Sequence, residues 1–292
     1  MIFPGAVTLM QAELLNSTLL RAASCILSSL LLAGACLAQD TTSGASPTRN
    51  AARPAGYLAA DEYPDSTALL PPPPAPGSTA LALDEELNRK TLALRGTARW
   101  ELAAQDAIPD PGAAFSCALG LSISAKDTPR LSALLRRSGA DVGAAVTPTK
   151  RFYQRKRPFL VNEQPICVPG SEETVGRDGS YPSGHTTAGW VWALILAEIA
   201  PDRTDAVLAR GWEFGQSRAV CNLHWQSDVT QGRVVGATLV ARLHANEEFR
   251  TDLEFAREEI ADLRAEGLPP DHDCAAEART PAVDAPSDQD AE

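Results

Sequence analysis

The chain has 292 residues, 44% of them hydrophobic, enough to bury one full core once its ends are set aside. The formal net charge is −11, but residues 271–292 hold seven acids and one arginine and contribute −6, leaving −5 on the remainder. That balance argues against a nucleic-acid polymer as partner, and the only long apolar stretch lies at the N-terminus, which argues against a multi-span membrane protein.

The first 38 residues carry one acid, Glu13, and one base, Arg21, and then run apolar from Ala22 to Ala38. The stretch is short for a membrane span and suits a signal-peptide core. Residues 1–38 are therefore expected to be removed on export, leaving a periplasmic or secreted protein with no stable membrane span. Met10 offers an alternative start. Leu32-Ala33-Gly34-Ala35-Cys36 is a weak lipoprotein-type box, which leaves lipidation of Cys36 open beside cleavage after Ala38. Residues 39–82 form a Pro-, Ser- and Ala-rich segment, with Pro71–Pro74 read as polyproline II laid over the domain. Folded structure is expected from near Leu83, in a helical domain over residues 83–268. The acidic tail, 269–292, reads as disordered.

Within the domain, apolar spacing predicts one helix over Asp84–Ala107, ended by Asp110-Pro111-Gly112. A short helix follows over Ala113–Leu119. Thr128-Pro129 starts another that runs to about Arg137, and a separate helix over Ala140–Gln154 carries Lys150. Residues 159–181 are rich in Pro and Gly and read as loop. Ser183–Ala200 reads as a buried helix, since Trp190, Trp192, Leu194 and Ile195 fall on several of its sides. Asp202 or Thr204 is expected to cap the next helix, which reaches about Cys221. Ser227 is expected to cap a helix over Asp228–His244, in which Gly232 and Gly236 permit close contact. The last helix spans about Asn246–Ala265. No alternating strand pattern is present, so the fold class is all-α: a helical bundle with its site at loop and helix ends.

Cleavage after Ala38 leaves Cys117, Cys167, Cys221 and Cys274, an even number that suits two disulfides in an exported chain. Three pairings are possible. Cys167–Cys221 is favoured because both lie near motifs expected to converge, which leaves Cys117–Cys274. No His/Cys cluster stands at metal-ligand spacing, so no metal site and no cofactor are expected.

Three blocks carry chemistry. Lys150 is separated by six residues from Pro-linked Arg157 in a basic run; Pro182-Ser183-Gly184-His185 opens a helix; and Ser217-Arg218 is followed by His224 and then Asp228. A phosphoryl group in transfer spreads charge over three oxygens, so catalysis there is mainly positioning and electrostatics. Lys150, Arg157 and Arg218 supply three cations, the arginines as planar forks. Ser183 and Gly184 sit where a helix start offers free N–H groups to an anion, and Gly184 lets the backbone come close. His224 and Asp228 are four apart, which places them on one face if that stretch is helical; a carboxylate on one ring nitrogen leaves the other free to attack phosphorus. His224 is thus the nucleophile of choice and Asp228 its orienter. His185, beside the Ser-Gly pair, is placed to protonate the leaving oxygen and then activate water. Each block alone has an ordinary reading: a solvated basic face, a turn, a structural histidine. The chain has only four histidines, and two of them fall at these positions. Arg151, Arg155 and Lys156 are read as surface or salt-bridge residues, and His244 and His272 receive no role.

In their order and spacing the blocks resemble the signature of the phosphatidic-acid-phosphatase type 2 and vanadium haloperoxidase superfamily. Gly179-Ser180-Tyr181-Pro182-Ser183-Gly184-His185 and Gly215-Gln216-Ser217-Arg218 are most similar to its soluble bacterial branch, the class A non-specific acid phosphatases. The resemblance runs from about Leu83 to about Phe249, with no departure at the motif positions. It implies a helical fold, the same two histidine roles, and hydrolysis of small phosphomonoesters such as nucleotides and sugar phosphates. A vanadium-dependent haloperoxidase and a soluble lipid phosphate phosphatase are the alternatives, because the superfamily shares one pocket. The oligomeric state stays open between a monomer and a homo-oligomer.

Overall fold

The computed structural model describes residues 55–267, 269–270 and 273–275; the expected signal peptide, Cys36, His272 and nearly all of the acidic tail lie outside the described residues. Within them every regular element is helical, in the order α1 Ser66–Leu69, α2 Thr79–Leu92, α3 Ala98–Gln105, α4 Pro111–Leu119, α5 Pro129–Tyr153, α6 Phe159–Asn162, α7 Glu172–Gly176, α8 Gly184–Ile199, a 3-10 turn Pro201–Arg203, α9 Thr204–Val220, α10 Gln226–Leu243 and α11 Glu247–Glu266. The all-α expectation holds. Among the described residues no helix is long and apolar enough to cross a membrane.

The bundle is built around α8, which packs against α5, α9, α10 and α11. Its Val191, Ala193, Ile195 and Leu196 are fully buried on successive sides, because neighbours surround it rather than flank it. Two glycines on α10 allow the approach. A Cβ on Gly232 would stand 2.6 Å from the Ser183 carbonyl oxygen, and one on Gly236 3.0 Å from that of Thr187. The start of α8 is thereby pressed against the start of α10, and that contact brings the second and third motifs together.

Several local expectations differ from the structure. The single helix over 84–107 is two, α2 and α3, divided by Gly96 in the left-handed region (φ 79°). Asp110-Pro111-Gly112 does not break a helix but starts one: the Asp110 carboxylate accepts from the Gly112 N–H at 2.8 Å, with Pro111 at the first helical position. The helices expected over 129–137 and 140–154 are one 25-residue helix, α5. Gly139 does not interrupt it, because Trp192 of α8 packs over that point, its ring atoms within 3.2 Å of where a Cβ would stand. The loop over 159–181 contains α6 and α7. Neither Asp202 nor Thr204 caps α9; Arg203 holds the cap position, and the Thr204 hydroxyl donates back to the carbonyls of Ala197 and Pro201. Ser227 does not cap α10. That position belongs to Trp225, whose N–H donates to Asp228 at 2.9 Å.

Packed structure also begins earlier than Leu83. Asp141 of α5 is fully buried and needs donors, and the segment before α1 provides them: the N–H groups of Tyr57 and Leu58 and the Tyr63 hydroxyl, at 2.9, 3.2 and 2.9 Å. Cys117 is bonded to Cys274 and Cys167 to Cys221, with Cα separations of 5.3 and 4.8 Å, so both favoured pairs form.

Candidate active site

His224 sits in the five-residue connection between α9 and α10, and the fold grips that connection tightly. Asn222 is left-handed (φ 61°) and fully buried. Its amide donates to the carbonyls of Gln164 and Pro165 at 3.0 and 3.3 Å, while its oxygen accepts from Asn88 and Asn162 at 3.0 and 2.9 Å. The Cys167–Cys221 bond ties the same turn to the loop before α7. Asparagine tolerates the left-handed region better than most residues, and these four bonds fix it there.

The ring of His224 is 4% exposed. Its Nε2 lies 2.8 Å from Arg157 Nη1, and a guanidinium can only donate, so Nε2 is the unprotonated nitrogen. The proton is therefore on Nδ1, which faces Asp228 Oδ2 at 3.4 Å and Ser180 Oγ at 3.3 Å. Asp228 does more than orient this ring. Fully buried, it accepts from Arg155 Nη1 (2.6 Å), the Ser180 hydroxyl (2.5 Å) and the Trp225 N–H (2.9 Å). Of the two readings of Arg155, surface or salt-bridge residue, the second holds. Its other nitrogen reaches Asp84 of α2 at 2.7 Å, and Asp84 in turn accepts from the N–H and hydroxyl of Ser227.

The expected phosphate ligands converge on the same place. Lys150, Arg157 and Arg218 are 5, 7 and 6% exposed. Burial holds each below its usual pKa: Lys150 falls to about 8, with Arg157 adding to the effect, and Arg218 to about 10, again with help from Arg157. Lys150 donates to the Gly179 carbonyl, and Arg157 to those of Leu223 and Asp178. Nε and Nη1 of Arg218 are buried with no hydrogen-bond partner. Buried donors without acceptors are costly, and a bound anion would satisfy them. The Ser183 hydroxyl accepts from the N–H and hydroxyl of Thr186, which leaves its own proton to donate. Gly184 and His185 are the first residues of α8, so their N–H groups have no acceptor within the helix. A Cβ on Gly184 would stand 3.9 Å from Lys150 Cε, so the helix start lies directly against that lysine.

His185 stacks on Phe214 at 4.6 Å, and its Nε2 donates to the Asp106 carbonyl at 2.5 Å. Only Nδ1 is left for exchange with a ligand. Asp106 was not legible in the sequence as part of a site. Its carboxylate is buried in a bidentate pair with Arg210 (2.5 and 3.2 Å) and accepts from Ser217 at 2.5 Å, which locks the carbonyl that His185 uses. Ser180 could have been found, since it stands in the same Gly-Ser-Tyr-Pro run as Ser183; Arg155 lay hidden among neighbouring basic residues.

Both histidines are held well below the ordinary histidine pKa. For His224 burial comes first, then the charges of Arg157, Lys150 and Arg218, against a backbone bond to Ser180. For His185 burial is again first and Arg218 next. The carboxylate of Asp228 by itself would favour the charged ring, but desolvation and three cations outweigh one carboxylate already shared among other donors. Among the described residues no group of three or more His, Cys, Asp or Glu is arranged to hold a metal ion.

The geometry is a buried cluster of three cations around an imidazole whose unprotonated nitrogen accepts from one of them, Arg157. The family model described as the PAP2 superfamily matches residues 134–252, which contain all three motifs. A "Non-specific acid phosphatase" of Providencia stuartii is 43% identical over 212 residues, covering 71% of this chain and 86% of that protein. An "Acid phosphatase" of Zymomonas mobilis is 40% identical over 71% of this chain and 80% of its own length. A "Non-specific acid phosphatase" of Salmonella typhimurium is 41% identical, covering 69% and 82%.

Proposed function

Because the chain belongs to the PAP2 superfamily, among its bacterial non-specific acid phosphatases, we propose that it is an exported, metal-independent phosphomonoesterase working through a phosphohistidine on His224. Export is supported by the two disulfides and the apolar N-terminal stretch. One observation carries the catalytic reading: the Nε2 lone pair of His224 lies within a cluster of buried cations, and one of these, Arg218, has two unbonded nitrogens. Lys150, Arg157 and Arg218, with the Ser183 hydroxyl and the N–H groups of Gly184 and His185, receive the three phosphoryl oxygens. Nε2 of His224 attacks phosphorus as the ester bond breaks, and Asp228 and Ser180 hold the Nδ1 proton while the ring becomes charged. Nδ1 of His185 delivers a proton to the departing alkoxide. It then takes a proton from the water that attacks the phosphohistidine and releases inorganic phosphate.

A panel of phosphomonoesters, nucleotides and sugar phosphates among them, together with diesters, with and without a chelator, tests the class. Monoester turnover that survives chelation and is absent for diesters is expected; diesterase activity, or loss with the chelator, overturns the reading.

The two histidines give a pH expectation. Burial and the neighbouring cations hold both rings well below the ordinary histidine pKa and so favour neutral imidazole, which suits His224 but disfavours a proton at Nδ1 of His185. The proton comes with the phosphate monoanion, or is taken up when a dianion binds beside the ring. Both sources fade as pH rises past the second ionisation of a phosphate ester, about 6. Lys150 then loses its charge through about 8. The ratio kcat/KM, followed across pH, should be highest on the acid side and fall along that limb. His185→Ala should cost alkyl phosphates about ten- to a hundredfold more than p-nitrophenyl phosphate, whose leaving group needs no proton. Equal losses for the two esters would remove His185 from the general-acid role.

Arg218→Ala should lower kcat/KM about a hundred- to a thousandfold and weaken vanadate inhibition in parallel, since vanadate reports complementarity to the transition state. Unchanged vanadate inhibition beside lost activity would place this arginine outside the phosphate site.

A further inference from the structure

Asp178 is a carboxylate that the mechanism above does not use, yet it touches the phosphate site. Its Oδ2 lies 3.3 Å from Lys150 Nζ, and its backbone carbonyl accepts from Arg157 Nε at 3.3 Å. The two partners differ sharply in exposure. The lysine side chain is 6% exposed and the aspartate side chain 54%, so the ion pair runs from the buried cation out to the solvent-facing rim. The backbone immediately after it is anchored: Lys150 donates to the Gly179 carbonyl, and the Ser180 N–H donates to the Arg155 carbonyl. The carboxylate is therefore held at a set distance from a phosphate ligand. Every phosphate that enters shares Lys150 with it.

We propose that Asp178 determines specificity at the rim of this site, disfavouring esters whose leaving group carries a second anionic group while tolerating neutral, hydroxylated ones. The inference rests on the phosphatase reading and names the substrate class within it. The physical basis is a negative charge that stays at the entrance when the transferred phosphoryl group is bound. The three buried cations are then occupied, and a second phosphate on the same substrate meets the charge of Asp178. A sugar monophosphate leaves only hydroxyls there, which can accept from or donate to solvent and carboxylate alike. The aspartate is also useful to the cations. It opposes the burial that would discharge Lys150, together with Asp228 and against Arg157, and it acts in the same sense on Arg157.

The test compares a hexose monophosphate with the matching hexose bisphosphate on the wild-type protein, Asp178→Asn and Asp178→Glu, at low and at physiological salt. The asparagine variant should raise the bisphosphate-to-monophosphate ratio of kcat/KM by roughly two- to fivefold at low salt, the size expected of one solvent-facing charge. The gain should shrink as salt screens it. Asp178→Glu, which keeps the charge, should keep the wild-type ratio. In the asparagine variant the alkaline limb governed by Lys150 should also move to lower pH, since a group that keeps the lysine charged is gone. A ratio unchanged in Asp178→Asn at low salt, or shifted equally in Asp178→Glu, overturns the inference. Failure of the wild-type protein to hydrolyse the monophosphate would instead overturn the phosphatase reading.

Discussion

His224→Ala is expected to remove about four to six orders of magnitude from kcat, as loss of a nucleophile does elsewhere, while the protein still folds and still binds phosphate. The ring's partners support both halves of that expectation. Its Nε2 meets only Arg157, and its Nδ1 faces Ser180 and Asp228, each of which keeps another partner: Ser180 keeps Asp228, and Asp228 keeps Arg155 and the Trp225 N–H. The phosphate cations do not depend on it for their position. Arg157 keeps the Leu223 and Asp178 carbonyls, and Lys150 keeps Gly179. Rapid quenching of the wild-type enzyme with a labelled ester should trap an acid-labile, base-stable phosphoryl adduct on His224. An adduct on Ser183, or full turnover by the alanine variant, would remove His224 from the nucleophile's role.

Asp228→Asn is expected to act on both activity and stability, and the structure makes the second effect larger than the motif alone would indicate. An amide cannot hold the Nδ1 proton as charge develops on the ring, which by analogy with other orienting carboxylates costs about two to four orders of magnitude in rate. The same change replaces a buried acceptor of three hydrogen bonds with a group that presents an NH2 to Arg155, Ser180 or Trp225. Removing one partner of a buried ion pair costs about 3–5 kcal/mol. Because Arg155 retains Asp84, the expected loss is at the lower end, about 3 kcal/mol. Denaturant unfolding measures the second effect and single-turnover kinetics the first. Wild-type stability beside impaired chemistry would show that the Arg155 pair contributes little; wild-type chemistry beside impaired stability would show that Asp228 is structural.

Local signals read well where the residue's own chemistry decides its conformation. The starts of α5, α8 and α11 were legible because Thr128-Pro129, Ser183 and Asn246 act on the N–H groups nearest to them or open the helix with proline. The division of α2 from α3 at Gly96, and the continuity of α5 past Gly139, were not. A glycine is permissive in either direction, and what decided between them was Trp192 packing over the second.

The site shows the same boundary. His224, Asp228, His185, Lys150, Arg157, Arg218, Ser183 and Gly184 were legible in the sequence itself as candidates, because an anion needs cations, free donors and a nucleophile, and these types stood within three short blocks, one of them at a helix start. Their partners were decided only by the tertiary structure. Arg155 is drawn inward by the carboxylates of Asp84 and Asp228, from helices 71 and 73 residues away in the chain. Asp106 reaches His185 across 79 residues through a backbone carbonyl, which no side-chain pattern records. The neutral state of His224 follows from desolvation by the whole bundle together with three cations from two other segments. Burial and summed charge are properties of the assembled fold, and they reverse the sign that the His224–Asp228 spacing suggests on its own.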